Sequence, residues 1–128
     1  MKTLLTGKKI LVVDDEDLLR EILVEDLTSA GASVSDAANG TMAFELLQKQ
    51  KFDAVVTDIR MPGGNGIMLI KNINSYFQSD KPKIFVCSGY NDVSLDDTEA
   101  LSVSFTFDKP FDRETFIRTL AQCLNGSN

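Results

Sequence analysis

Four acids in a row, Asp14, Asp15, Glu16 and Asp17, follow directly on the apolar run "ILVV". A second apolar run, "FDAVVTD", ends in Asp58 and leads into "IRMPGGNG". A third, "KIFVCS", ends in Ser88, and a fourth, "VSFTF", runs on to Lys109 and Pro110. Like charges side by side repel, and burying even one is costly. Either these acids point into water, or something positive binds among them. The chain has no histidine, which removes the commonest general base and the commonest metal ligand. Its chemistry falls to carboxylates, hydroxyls, lysines and a metal that prefers oxygen. Mg²⁺ suits such a set, because it keeps several waters and needs one or two protein carboxylates plus phosphate oxygens. Lys109 would add a positive charge able to hold an anion beside the metal. Glu16 and Asp17 have a plainer role: they open a helix, where the dipole favours negative charge by about 0.3–1 kcal/mol.

These groups meet only if the elements carrying them converge. Apolar runs alternate along the chain with helical patterns, giving five βα units in succession. "KILVV", "SVSDA", "FDAVVTD", "KIFVCS" and "VSFTF" read as strands. The helices between them carry apolar stripes: Leu18, Leu19, Ile22, Leu23 and Leu27 in the first; Met42, Leu46 and Leu47, facing inward, in the second; Leu69, Ile70, Ile73 and Phe77 in the third. "NDVSLDDTEALS", residues 91–102, is a weak helix. "RETFIRTLAQCL" is a strong one, capped by Asp112 and turning Phe116, Ile117, Leu120 and Leu124 inward. Such alternation predicts an α/β fold with a doubly wound, five-stranded parallel sheet and helices on both faces. Central parallel strands are continuously apolar and edge strands are not, which puts the second and fifth strands at the edges. The flavodoxin-like order 2-1-3-4-5 does this, and its ligands bind beyond the strand ends, where the order reverses between strands 1 and 3. Asp14, Asp15, Asp58, Ser88 and Lys109 all fall on that rim. The end of strand 2, "DAANG", contributes nothing obvious. Phe105 and Phe107 read as core residues, with Thr106 facing the other way.

The bulk numbers are those of one globular domain. The 128 residues can bury roughly two thirds of their unfolded surface. A net charge of −6 argues against binding to nucleic acid or a membrane surface. No apolar run approaches a membrane span, and "MKTLLTGKK" is no signal peptide, so the expected compartment is the cytoplasm. Cys87 and Cys123 lie in apolar segments and read as two buried free thiols.

The segments "VVDDED", "VVTDIRMPGGNG", "VCSGY" and "DKPF" together resemble the CheY-like receiver domain of two-component response regulators, from about Lys8 to Leu124. The resemblance implies a single receiver domain over residues 1–128. It implies that Asp58 accepts a phosphoryl group from a phosphohistidine of a histidine kinase or phosphotransfer protein. It implies Mg²⁺ held by Asp15, Asp58 and the backbone carbonyl of Arg60, with Asp14 acting through a bound water. Lys109, joined to Pro110 by a cis bond, would pair with the phosphoryl oxygens, and Ser88 would hydrogen-bond one of them. Arg60 and Tyr90 would modulate the lifetime of the phosphate. The family's switch aromatic is replaced here by Thr106. The docking face for a downstream target, or for an output domain, would comprise the 91–102 segment, the fifth strand and the last helix. Two other readings compete: a phosphohydrolase with an aspartate nucleophile, and a receiver-shaped binding module that works without phosphorylation.

Overall fold

Ile10 to Val13 are consecutive apolar residues, and in the computed structural model of the chain all are buried. A strand covered on both faces requires such a run. The structure describes residues 3–59, 66–88, 103–108 and 111–125. In chain order the elements are β1 (Lys9–Val13), α1 (Asp17–Ser29), β2 (Ser33–Ala37), α2 (Gly40–Lys49), β3 (Ala54–Asp58), α3 (Gly66–Tyr76), β4 (Lys83–Ser88), β5 (Phe105–Asp108) and α4 (Arg113–Leu124). The strands form one parallel sheet in the order β2-β1-β3-β4-β5. The doubly wound order expected from the apolar patterning is therefore the observed one, with the more polar β2 and β5 at the edges. The weak helix expected at 91–102 lies outside the described residues, as do Arg60, Tyr90, Lys109 and Pro110.

The two-residue period of the strands divides the core in two. Ile10, Val12, Val56, Phe85 and Phe107 pack under α1 and α4, against Leu23, Leu27, Phe116, Ile117 and Leu120. Leu11, Val13, Val55, Ile84 and Val86 pack under α2 and α3, against Ala43, Leu47, Leu69, Ile70 and Ile73. Leu5, ahead of β1, is fully buried in the first cluster. Its amide donates to the Ala30 carbonyl at 2.9 Å, and the Asn125 side-chain amide donates to the Leu4 carbonyl at 3.0 Å. The segments around Leu5 and Asn125 are thus tied beneath the same face.

Some of the expected inner faces turn outward. Leu18 and Ile22 are 71% and 44% exposed, whereas Leu23 and Leu27 are buried. The stripe Leu19–Leu23–Leu27 meets the sheet, and the stripe Leu18–Ile22 lies about 100° around the helix from it. Met42 is exposed for the same reason: Ala43 and Leu47 take the inner line of α2. Phe107 is buried but Phe105, at the start of an edge strand, is 43% exposed. Of the cysteines, Cys87 is buried and Cys123 half-buried, and neither is in a disulfide.

The helix starts follow their caps. Asn39 accepts from the Met42 amide, and Asp112 accepts from both the amide and the hydroxyl of Thr115 at 2.9 Å. Those two bonds hold the Asp112 carboxyl below the ordinary aspartate range. A carboxyl depressed in the folded state stabilises fully above its unfolded value and loses that contribution as pH falls through the folded one. The melting temperature of Asp112→Ala should therefore lie below that of wild type at neutral pH. The gap should close as the pH drops below the ordinary aspartate range, and a gap independent of pH would count against the cap.

Candidate functional site

β1 and β3 are neighbours although α1, β2 and α2 separate them in sequence. Their register pairs Val13 with Thr57, so the next residues, Asp14 and Asp58, leave the sheet side by side. By the two-residue period both side chains fall on the same face as Val12 and Val56. Asp14 is 1% and Asp58 8% exposed, while Asp15 faces solvent. One carboxylate oxygen from each of Asp14, Asp15 and Asp58 lies within 4.8 Å of the others. This is the topological switch point of the sheet, where open α/β folds bind ligands.

Local bonds fix each acid. The Asp14 amide donates to the Ala37 carbonyl at 3.2 Å, which is β2 pairing carried one residue past the strand. The Asp14 side chain accepts from the Glu16 amide at 2.8 Å, turning the chain into α1. Its carbonyl accepts from Nη1 of Arg20 at 2.7 Å. Arg20 also gives Nε to Asp36 at 3.0 Å and Nη2 to Asp17 at 2.8 Å. Burial works against the guanidinium charge, but bonds and attraction from Asp17 and Asp36 outweigh it and hold the pKa above the ordinary arginine value. At the other strand, the Thr57 hydroxyl donates to the Asp58 carbonyl at 2.9 Å. Gly66, the first residue of α3, lies against the same peptide. Its amide donates to the Ile59 carbonyl at 2.8 Å, and a Cβ there would overlap the Asp58 carbonyl oxygen and come within 2.9 Å of the Ile59 Cα.

Aspartates are rarely buried without partners. Three so close, two of them buried, form an oxygen-only donor set whose mutual repulsion a hard divalent cation would offset. The residues present fit Mg²⁺. The structure thus brings together Asp14, Asp15 and Asp58 as the sequence predicted. Ser88 closes β4, level with Asp108 of β5, and Thr106 is half-buried and level with Val86. Sequence reasoning missed Arg20 and Asp36. Asp17 and Arg20 are three apart on a helix, a pairing visible in the sequence. Asp36 sits at the end of β2, which had seemed to bring nothing to the rim, and only the adjacency of β2 and β1 reveals its part.

The sequence profile of the response regulator receiver domain matches residues 10–121. The chain belongs to this family, whose members are phosphorylation-dependent signalling domains and not classical enzymes. It is 31% identical over 118 residues to the response regulator receiver protein CpdR of Brucella abortus, covering 91% of this chain and 97% of that one. It is 33% identical over 105 residues to the transcriptional regulatory protein CrdR of Helicobacter pylori, covering 82% of this chain but only 49% of that one. Among solved structures, the response regulator protein TrrA of Thermotoga maritima, in complex with Mg²⁺-BeF, superposes with a TM-score of 0.80 at 29% identity, over 91% of this chain and 99% of that one. Among the described residues, no helix is long and apolar enough to cross a membrane.

The close approach of α3 to the end of β3 makes Gly66 a sensitive position. Gly66→Ala should lower the urea midpoint by the equivalent of about 1–3 kcal/mol, the usual range for a side chain forced into filled space. An unchanged midpoint would mean that the Asp58–Ile59 backbone yields freely.

Proposed function

We propose that this receiver takes a phosphoryl group onto Asp58 in the presence of Mg²⁺ and signals through the surface that the added charge rearranges. The observation that carries this reading is the set of three carboxylates, with oxygens within 4.8 Å of one another, at the switch point of the sheet. The relative TrrA, solved with Mg²⁺-BeF, supports the choice of metal.

In this reading Asp15, Asp58 and the Arg60 carbonyl hold the cation, with Asp14 supporting through water. Mg²⁺, when bound, offsets the negative charge of the carboxylates and of the incoming phosphoryl oxygens. An Asp58 oxygen attacks phosphorus, the P–N bond to the donor histidine breaks, and its electron pair leaves with the imidazole. These 128 residues contain no histidine, so the phosphoryl group comes from a histidine outside them, on a kinase or phosphotransfer protein, or from a small phosphodonor. Lys109 pairs with the phosphoryl oxygens and the Ser88 hydroxyl donates to one of them. Phosphorylation adds about −1.5 to −2 charge. Thr106, half-buried in β5, takes the place of the family's switch aromatic, and bulky Tyr90, with Arg60, sets how long the phosphate lasts. The output reaches a protein target, or an output domain, through residues 91–102, β5 and α4. The domain works in the cytoplasm and binds neither nucleic acid nor membrane.

The test is intact mass after incubation with acetyl phosphate and Mg²⁺. Wild type should gain one phosphoryl group that Asp58→Asn and a chelated sample both lack. No gain in wild type, either here or with a kinase donor, would leave a receiver-shaped binding module. For the output face, Arg118 is the better probe than Arg113. Among the described residues Arg118 forms an ion pair with Glu114 of its own helix at 2.7 Å, whereas Arg113 reaches Asp26 of α1 at 3.3 Å. Arg118→Glu should weaken target binding and leave phosphorylation intact; loss of both would refute the assignment of that face.

A further inference from the structure

We infer that Arg20 is a positioning residue for the acid cluster: its guanidinium fork sets the direction in which Asp14 and Asp15 present their carboxylates to a divalent cation. The inference rests on the reading that Asp14, Asp15 and Asp58 hold such a cation. Three acceptors from three segments meet this one side chain. They are the Asp14 carbonyl just past β1, the Asp17 carboxylate in the first turn of α1, and the Asp36 carboxylate in β2, at 2.7, 2.8 and 3.0 Å. A planar fork with fixed donor directions can satisfy all of them at once, which a point charge cannot. The side chain is only 16% exposed, although it lies on an otherwise exposed turn.

The bond to the Asp14 carbonyl is the one that matters for the site. That carbonyl belongs to the peptide joining Asp14 to Asp15. Arg20 grips it from one side, while the Glu16 amide grips the Asp14 carboxylate from the other. Asp15 lies between these two anchors and is itself exposed, so its direction comes from the backbone on either side. Losing the grip on the peptide would let the 14–16 stretch turn, and one of the three donors would leave the cluster.

Electrostatics predict the opposite sign, which makes the inference decidable. A cation beside a metal site repels the metal, so removing Arg20 should tighten metal binding if charge were its whole effect. If it acts by position, removal should weaken binding. Partners that orient ligands in this way typically contribute 10–100-fold to metal affinity.

The experiment is titration with Mn²⁺, followed by the free-ion EPR signal, on wild type, Arg20→Ala and Arg20→Lys, with thermal unfolding of each. Arg20→Ala should bind about 10-fold more weakly than wild type. Arg20→Lys keeps the charge but not the fork, and should remain several-fold weaker. If the alanine variant loses its cooperative transition, the lysine variant decides alone. Unchanged or tighter binding by Arg20→Ala, or full recovery by Arg20→Lys, overturns the inference while leaving the metal site standing. No binding by wild type overturns the reading of the site itself, and the inference with it.

Discussion

The pairing of β1 with β3 forces like charges together. Parallel neighbours in register end at the same height, so Asp14 and Asp58 must leave the sheet side by side. Nothing in the local sequence of either strand favours that meeting. It is driven by burial: Ile10 to Val13 and Ala54 to Val56 are covered on both faces, and each buried Val, Leu or Ile side chain among them contributes about 1.5–3 kcal/mol. The repulsion at the rim is small against that total. The strand pairing itself can therefore hold the acids close.

The same frame limits where the site can give. The Asp58 peptide is held by the Thr57 hydroxyl and pressed by Gly66 at the start of α3. Asp14 is held by Ala37, Glu16 and Arg20, from β2, the turn and α1 respectively. Preorganisation of this kind is what a metal and a phosphoryl group require, because a ligand displaced by even a fraction of an ångström loses much of its effect. These bonds reach the acids from β1, β2, β3 and the start of α1.

Much of this was legible in the sequence. The continuous apolar runs marked the central strands and the polar ones the edges, and the doubly wound order 2-1-3-4-5 is one that satisfies this distinction. Asp14, Asp15 and Asp58 followed from the order and the rule about switch points. Legibility failed where side chains of one type had to be sorted by degrees of rotation. Leu18 and Leu19 are adjacent and identical in chemistry, yet one faces solvent and the other the core. Helical periodicity admits both, and only the seat of the helix on the sheet chooses. Arg20 was missed for a different reason. Its three partners lie in separate segments, and two of them read as surface acids until β2 is placed beside β1.

The bonding of β1 and β3 bears on how a charge at Asp58 could become a signal in the proposed reading. A phosphoryl group would enter a site whose β1 and β3 backbones are already bonded on several sides. The described bonds leave little freedom for those strands to answer the added charge. In the proposed reading the response falls to the output face, of which β5 is part. β5 is the shortest strand of the sheet, with one buried residue, and Thr106 offers a hydroxyl where a large ring would need a cavity. A small side chain at that position can change its hydrogen-bond partner by turning about one bond. It transmits less volume than a swinging aromatic, but it moves against a lower barrier. In the proposed reading, Thr106 would couple phosphorylation to the output face by exchanging hydrogen bonds and not by swinging a ring.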